Sequence, residues 1–142
     1  MRFLLVIVFF IFSIGFISAQ ELPTGTFAGT GFSLEKNGSF ILTNKNLHYH
    51  NSHLKIRKVS EELYELTISI YLQKSKNSKT VRDTRVDKYK IEWIDHSRGV
   101  LINQKPQYSR ERSEFLISSK KLIIKSQISR NGVIETQSYK IK

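Results

Sequence analysis

Three histidines close together in the sequence come nearest to a metal-binding pattern. His48, His50 and His53 form H-x-H-x-x-H. Imidazole nitrogens are common ligands of zinc and other transition metals, and on a β-strand His48 and His50 would point to the same side. Such spacings also arise often by chance, and the nearest carboxylate in the sequence is Glu61. We therefore expect a polar strand end here, with no bound metal and no other cofactor.

Catalytic motifs are absent from the sequence. The chain contains no cysteine, which excludes a thiol nucleophile, and it has neither a G-x-S-x-G motif nor a phosphate-binding loop. Its acidic residues are not placed as pairs in the apolar setting that favours general acid–base catalysis. We predict a non-enzymatic protein, with the alternative that residues distant in sequence meet in a folded active site.

Positive charge is the other chemical feature of the sequence. The chain carries 23 lysine and arginine residues against 12 acidic residues, for a formal net charge of +11. The basic residues are spread along the chain, with small clusters at 55–58, 74–79 and 120–121. A basic face can bind an anionic polymer such as a polysaccharide, lipopolysaccharide or nucleic acid. The same excess also suits the surface of a soluble exported protein, since few aromatic residues accompany the lysines to stack on bases.

The first 19 residues have the layout of a secretory signal peptide. Arg2 gives a positive start, an apolar run extends from Phe3 to Phe12, and the small residues Ser18 and Ala19 precede Gln20. This layout predicts cleavage between Ala19 and Gln20. An uncleaved membrane anchor is the alternative, because the whole apolar stretch approaches the lower limit for a membrane span, roughly 17 residues.

Cleavage would leave residues 20–142 as a single domain. That mature chain would retain 22 basic and 12 acidic residues, for a net charge of +10, and about 40 apolar residues in 123. Export without cysteine predicts a periplasmic or secreted protein, most simply of a Gram-negative bacterial envelope. A eukaryotic secreted origin is the alternative, in which Asn37 would belong to a glycosylation acceptor. We predict no transmembrane span in the mature chain.

Apolar and polar residues alternate from Leu63 to Leu72, which predicts a half-buried antiparallel strand. Weaker versions of this pattern follow one another along the chain. We expect turns at Asn37-Gly38 and Asn44-Lys45-Asn46, and a break in the strand at Asn51-Ser52. The pattern predicts an all-β fold, an up-and-down antiparallel β-barrel of about 8–10 strands, because closure removes the edges of an open sheet. Charged residues on the exposed strand faces disfavour an outer-membrane barrel.

The last predicted hairpin has a self-consistent register. A two-residue turn at Asn131-Gly132 would place Ile124 opposite Tyr139 and Leu122 opposite Ile141. All four side chains would then lie on one face of the sheet.

The segment from Thr80 to Asp95 has faces that conflict. Its apolar residues Tyr89, Ile91 and Trp93 share a side with the charged residues, which are Asp83, Arg85 and Asp87. Either a bulge near Asp87 switches the faces, or charged side chains enter the interior at one end of the sheet.

The opening strand resembles those of the lipocalin and fatty-acid-binding group of barrels, the calycins. Gly25-Thr26-Phe27 is similar to the opening G-x-W of lipocalins, with Phe in place of Trp, and Phe27-x-Gly29-x-Gly31 is similar to the first strand of nitrobindin-type barrels. The resemblance covers about ten residues and the strand order. It implies a lipocalin-like barrel that binds a small apolar or amphipathic ligand without transforming it.

The predicted ligand-binding residues lie on the inward strand faces of this barrel. The small number of apolar residues predicts incomplete filling and hence a pocket. An inward Arg85 near the rim would pair with a ligand carboxylate and favour fatty-acid-like molecules. The alternative is a filled barrel without a small ligand, whose basic outer surface binds an anionic polymer, an envelope component or a protein partner. The predicted ligand-binding residues are Phe27, Arg85, Tyr89, Ile91 and Trp93.

Overall fold

The computed structural model describes residues 20–108, 112–127 and 132–141; the predicted leader, residues 1–19, lies outside these ranges. In the described ranges, 3-10 turns cover Asn44–Asn46 and Pro106–Tyr108, and no helix is long and apolar enough to cross a membrane. The strands are β1 (Gly25–Lys36), β2 (Ser39–Thr43), β3 (Tyr49–Lys58), β4 (Leu63–Gln73), β5 (Val81–Trp93), β6 (Arg98–Asn103), β7 (Ser113–Ile117), β8 (Lys121–Gln127) and β9 (Val133–Lys140).

The strands form one antiparallel sheet that closes on itself. Their order is β2-β1-β3-β4-β5-β6-β7-β8-β9, and β1 also pairs with β9. From β3 to β9, each strand pairs with the next one in sequence, which is an up-and-down arrangement. The remaining pairings all involve β1, which contacts β2, β3 and β9. The prediction of an all-β antiparallel barrel of about 8–10 strands is confirmed.

Strands β2 and β3 share one place in the barrel wall. Both run antiparallel to β1, where Ser33–Lys36 pairs with β2 and Gly25–Ala28 pairs with β3. The turn predicted at Asn44–Asn46 is present as a 3-10 turn, but it does not reverse the direction of the chain. The break predicted at Asn51-Ser52 is wrong, because β3 pairs with β4 without a register shift. The wall therefore has eight strand places.

A β-bulge in β1 turns both of its phenylalanines toward the interior. The register with β9 shifts between Gly29 and Gly31, so Phe27 packs against the core and Phe32 is buried although they are an odd number of residues apart. Gly29 is needed at this point because a Cβ there would lie 1.7 Å from Ser52 Oγ. The predicted turn at Asn37-Gly38 is present, with φ of 52° and 79°.

The hydrophobic core fills the end of the barrel at which β3 ends and β4 begins, which we call the closed end. The segment before β1 packs here: Leu22 is 4% exposed, and Glu21 forms an ion pair with Lys58. The Trp93 indole meets the Phe115 ring edge-on, with centroids 5.1 Å apart. The buried core consists of Leu22, Leu54, Ile56, Tyr64, Leu66, Leu101, Phe115, Leu122, Ile124 and Tyr139.

The last hairpin keeps the predicted faces but not the predicted register. Leu122 pairs with Tyr139, and Ile124 pairs with Gln137. The predicted pairing is wrong by two residues because residues 128–132, rather than two turn residues, connect β8 to β9. A shift of two leaves each side chain on its face, so Leu122, Ile124 and Tyr139 are all buried. Asn131 lies outside the described ranges.

Candidate functional site

Strand β5 carries charged side chains into the barrel. Its pairing with β4 runs from Lys90 to Val81 without a register shift, so no bulge near Asp87 switches the faces. Arg85 and Asp87 lie on the same inward face as Tyr89 and are partly buried. Of the two predicted alternatives, the entry of charged residues into the interior is therefore correct.

These charges lie beside a cavity at the end of the barrel opposite the core, which we call the open end. The cavity has a volume of about 380 Å³, and most of its lining side chains are polar. It reaches from β4 across to β9, above the packed core. The lining residues are Leu66, Ile68, Thr84, Arg85, Val86, Asp87, Tyr89, Asn103, Lys105, Ser113, Ser126, Gln127 and Glu135.

An ion pair between Arg85 and Glu135 spans this interior. Arg85 Nη2 lies 2.8 Å from Glu135 Oε1, and Arg85 Nε lies 3.1 Å from Asp83 Oδ2. The Glu135 side chain is only 8% exposed and that of Arg85 is 34% exposed. Burial opposes the charge on Arg85, but the two carboxylates outweigh burial, so the pKa of the guanidinium is raised. The cation is therefore already paired on two sides.

The inner face of β9 ties the Glu135 carboxylate to the core. Gln137 Nε2 donates a hydrogen bond to Glu135 Oε1, and the Tyr139 hydroxyl donates to Gln137 Oε1. Both Gln137 and Tyr139 are buried, and burial raises the pKa of the Tyr139 phenol. Polar groups at alternate positions on one strand thus connect the closed end to the cavity.

A second, apolar chamber of about 190 Å³ lies on the other side of the cross-barrel ion pair. Glu135 lines both spaces, so its side chain lies where the apolar chamber meets the polar cavity. This chamber is lined by Phe32, Leu34, Ile70, Leu72, Val81, Asp83 and Glu135.

The polar cavity contains a second ion pair on its β6 side. Lys105 Nζ lies 2.5 Å from Asp87 Oδ1, and the Asp87 side chain is largely buried. The Asn103 side chain positions this lysine's backbone, since Asn103 Oδ1 accepts a hydrogen bond of 2.8 Å from the Lys105 amide. The charges that line the two spaces are therefore Asp83, Asp87 and Glu135 against Arg85 and Lys105.

The three histidines do not converge. His50 faces inward and stacks on Phe32 with ring centroids 5.6 Å apart, whereas His53 is exposed on the opposite face of β3. Burial lowers the pKa of His50, and its Nε2 has no hydrogen-bond partner among the described residues. The described ranges hold no group of three or more His, Cys, Asp or Glu side chains placed to bind a metal.

The predicted ligand-binding residues divide between the two ends of the barrel. Arg85 and Tyr89 line the cavity, whereas Phe27, Ile91 and Trp93 pack against the core. A ligand-binding role for any of the five remains a prediction.

The sequence reasoning missed Glu135, the partner of Arg85 across the barrel. The two-residue period of β9 carried a signal, because Glu135, Gln137 and Tyr139 alternate on the face that holds Ile141. The pairing itself had no signal in the sequence, since Arg85 and Glu135 are on strands far apart in the chain.

Comparison with known proteins shows the fold. No protein-family model matches this chain, and no curated protein matches its sequence. Among solved structures, the siderocalin Ex-FABP, described as functioning through dual ligand specificities, superposes with a TM-score of 0.53; it is 10% identical, and the match covers 84% of this chain and 73% of that chain. This likeness shows the fold alone, a lipocalin-like antiparallel barrel.

Proposed function

We propose that this chain is an exported, non-enzymatic binding protein that holds a small amphipathic ligand in the open end of its barrel. The observation that carries the proposal is the unfilled interior. The cavity of about 380 Å³ falls within the range of roughly 300 to 1,000 Å³ typical of ligand pockets. A lipocalin-like barrel with such a space supports ligand binding.

The two spaces on either side of Glu135 support an amphipathic ligand. The smaller chamber presents Phe32, Leu34 and Ile70, against which an apolar group would be buried. The larger cavity presents amide, hydroxyl and charged groups that would hydrogen-bond to a polar group. A molecule with one apolar and one polar part would occupy both spaces.

The charges of the lining favour a neutral or cationic polar group. Arg85 is held by Asp83 and Glu135, and Lys105 is held by Asp87. A ligand carboxylate would have to displace one of these carboxylates and leave it buried without its cation, which costs free energy. A hydroxyl or ammonium group would find acceptors without that loss. Arg85 alone would favour a ligand carboxylate. Because Arg85 is already paired, we propose that the polar group of the ligand is neutral or cationic.

Calorimetric titration of residues 20–142 with octylamine, octanol and octanoate tests the proposal. We expect saturable binding of octylamine or octanol and weaker binding of octanoate. Tightest binding of octanoate, abolished by Arg85→Ala, would contradict the proposed head group. The absence of binding for all three would contradict the cavity as a site for amphiphiles.

A pair of tryptophan substitutions locates the site. Leu34→Trp should fill the apolar chamber and abolish binding. Leu116→Trp, on the outer face of β7, is the matched control and should leave binding unchanged. Equal effects of the two substitutions would place binding outside the chamber.

Export is the second part of the proposal. The segment that would begin the mature chain is attached to the closed end: Gln20 Nε2 donates to the Asp95 carbonyl at 3.2 Å, and Leu22 is buried. A chain that starts at Gln20 would thus begin with residues that have defined partners. The support for cleavage after Ala19 comes from the sequence, in which the small residues Ser18 and Ala19 follow the apolar run.

A further inference from the structure

The open end of the barrel exposes apolar side chains on three separate segments. Phe40 and Ile41 on β2 are 67% and 59% exposed, Tyr49 at the start of β3 is 47% exposed, and Val81 at the start of β5 is 53% exposed. Single exposed apolar side chains are common on soluble proteins, and Val59 and Leu116 are examples away from this opening. The grouping of four such side chains on the rim of one opening points to a contact with an apolar phase or a partner.

Five lysines accompany these apolar residues. All five are exposed, and none forms an ion pair with a carboxylate in the described ranges. One ends β1, one lies in the 3-10 turn after β2, and three lie in the connection between β4 and β5. Together with the four apolar residues they form what we call the docking rim. The lysines are Lys36, Lys45, Lys74, Lys76 and Lys79.

The sheet order brings the docking rim together on one side of the opening. Strands β2 and β3 share one place in the wall, β4 is the next strand and β5 follows it. Tyr49 pairs with Gln73, which is the last residue of β4, and Leu72 pairs with Val81. The rim is therefore a continuous arc over neighbouring strands.

We propose that the docking rim binds an anionic lipid surface. Apolar side chains flanked by lysines match the two layers of such a surface, since the apolar groups enter the acyl boundary while the ammonium groups contact the phosphates. A soluble polyanion would use the lysines but would leave Phe40 and Ile41 in water. The combination of both residue types thus favours a membrane over a polymer.

The rim also connects the surface to the interior. Val81 belongs to the docking rim and lines the apolar chamber together with Leu34 and Leu72. Docking would place the mouth of the apolar chamber against the lipid. An amphipathic molecule could then pass between the membrane and the chamber without crossing bulk water. The docking itself does not depend on the proposed ligand, because vesicles without ligand test it.

Flotation with lipid vesicles tests this proposal on residues 20–142. We expect binding to vesicles of equal parts phosphatidylglycerol and phosphatidylcholine, weaker binding at high salt, and little binding to phosphatidylcholine alone. Equal binding to anionic and neutral vesicles, or no binding to either, would overturn the proposal.

Two variants separate the apolar and charged contributions. Phe40→Ser with Ile41→Ser, and separately Lys74, Lys76 and Lys79→Gln, should each weaken vesicle binding by about tenfold or more. The altered side chains are exposed, so thermal melting should stay close to that of the parent protein. If the serine variant binds vesicles as well as the parent does, the apolar contact is refuted.

A matched control removes three lysines from the other end. Lys120, Lys121 and Lys140→Gln lowers the net charge by the same amount at the closed end and should leave vesicle binding nearly unchanged. An equal loss in this control would mean that net charge alone attracts the protein. Heparin binding that depends on the lysines, with no binding to vesicles, would assign the rim to a soluble polyanion instead.

Discussion

Arg85 and Glu135 form an ion pair across the diameter of the barrel, with 2.8 Å between Nη2 and Oε1. Their strands, β5 and β9, are four places apart in a wall of eight, which puts them on opposite sides. The pair therefore joins two walls that share no backbone hydrogen bonds. Its Glu135 side chain lines both the apolar chamber and the polar cavity.

Removal of one partner of this pair should destabilise the fold. Arg85→Met leaves Glu135 buried without its cation, and we expect a loss of roughly 2 to 4 kcal/mol in the free energy of unfolding, moderated by the partial exposure of Arg85. Urea denaturation measures the loss. Arg82→Met on the outer face of β5 is the control and should cost less than about 1 kcal/mol. If Arg85→Met with Glu135→Leu is no more stable than Arg85→Met alone, the loss does not come from the unpaired carboxylate.

His50 should make stability depend on pH. Its pKa in the folded protein is lowered by burial, whereas in the unfolded chain it is about 6.5. The unfolded chain therefore binds the proton more readily, so this contribution to stability is complete above about pH 6.5 and is lost as the pH falls toward the folded pKa. Thermal melting across this range should show the decline. It should disappear in His50→Phe and persist in His53→Phe, and its persistence in His50→Phe would exclude His50 as the cause.

Gly29→Ala should strain the contact between β1 and β3. A Cβ at Gly29 would lie 1.7 Å from Ser52 Oγ and 3.0 Å from the Ser52 carbonyl oxygen. We expect a loss of roughly 1 to 3 kcal/mol in the free energy of unfolding, as for other overpacked sites. Ser52→Gly removes only the first clash and should recover part of the loss. Full stability of Gly29→Ala would show that Ser52 can leave its buried position without cost.

Leu22 should contribute to stability although it precedes the first strand. It is 4% exposed and belongs to the core at the closed end. Leu22→Ala should cost roughly 2 to 5 kcal/mol through lost burial and the cavity it leaves. Leu116→Ala, on the outer face, is the comparison and should cost much less. Similar melting temperatures for the two variants would mean that the N-terminal segment does not close the barrel.

Export predicts a defined N-terminus. The intact mass of the protein secreted from a bacterial host should correspond to a chain that begins at Gln20. Substitution of Ala19 by Arg should block cleavage and cause the precursor to accumulate. Recovery of the uncleaved parent chain in the membrane fraction would support the anchor alternative.

Period-two alternation made the fold predictable, and its limits explain the errors. Leu63 to Leu72 alternates clearly, so its strand and its inward face were both predicted. The register of β8 with β9 was predicted wrongly. A shift of two residues leaves every side chain on the same face, so the alternation of apolar and polar residues does not reveal the length of the loop that sets the register. The residues Asn44–Asn46 have a composition typical of a chain reversal. The chain nevertheless keeps its direction there, because β1 is long enough to pair with β2 and β3 one after the other.

The interior polar groups were only half predictable. The inward position of Arg85 follows from its spacing to Tyr89, but its partner Glu135 depends on barrel closure, which brings together strands that are distant in the chain. The same spacing suggested Trp93 as a ligand contact, which stays a prediction. The Trp93 indole packs on Phe115 at the closed end, so we expect its emission to report unfolding.

The seam between β1 and β9 has a consequence for the folding rate. Ala28 pairs with Lys140, so this contact closes a loop of almost the whole barrel, whereas the hairpins from β4 to β9 close short loops. Loop-closure entropy delays such a contact, and a high contact order slows folding. We expect amide protection to appear in the β4–β5 hairpin before the β1–β9 seam in pulsed hydrogen exchange during refolding. Simultaneous protection of both would indicate that the barrel closes in the step that forms its first hairpins.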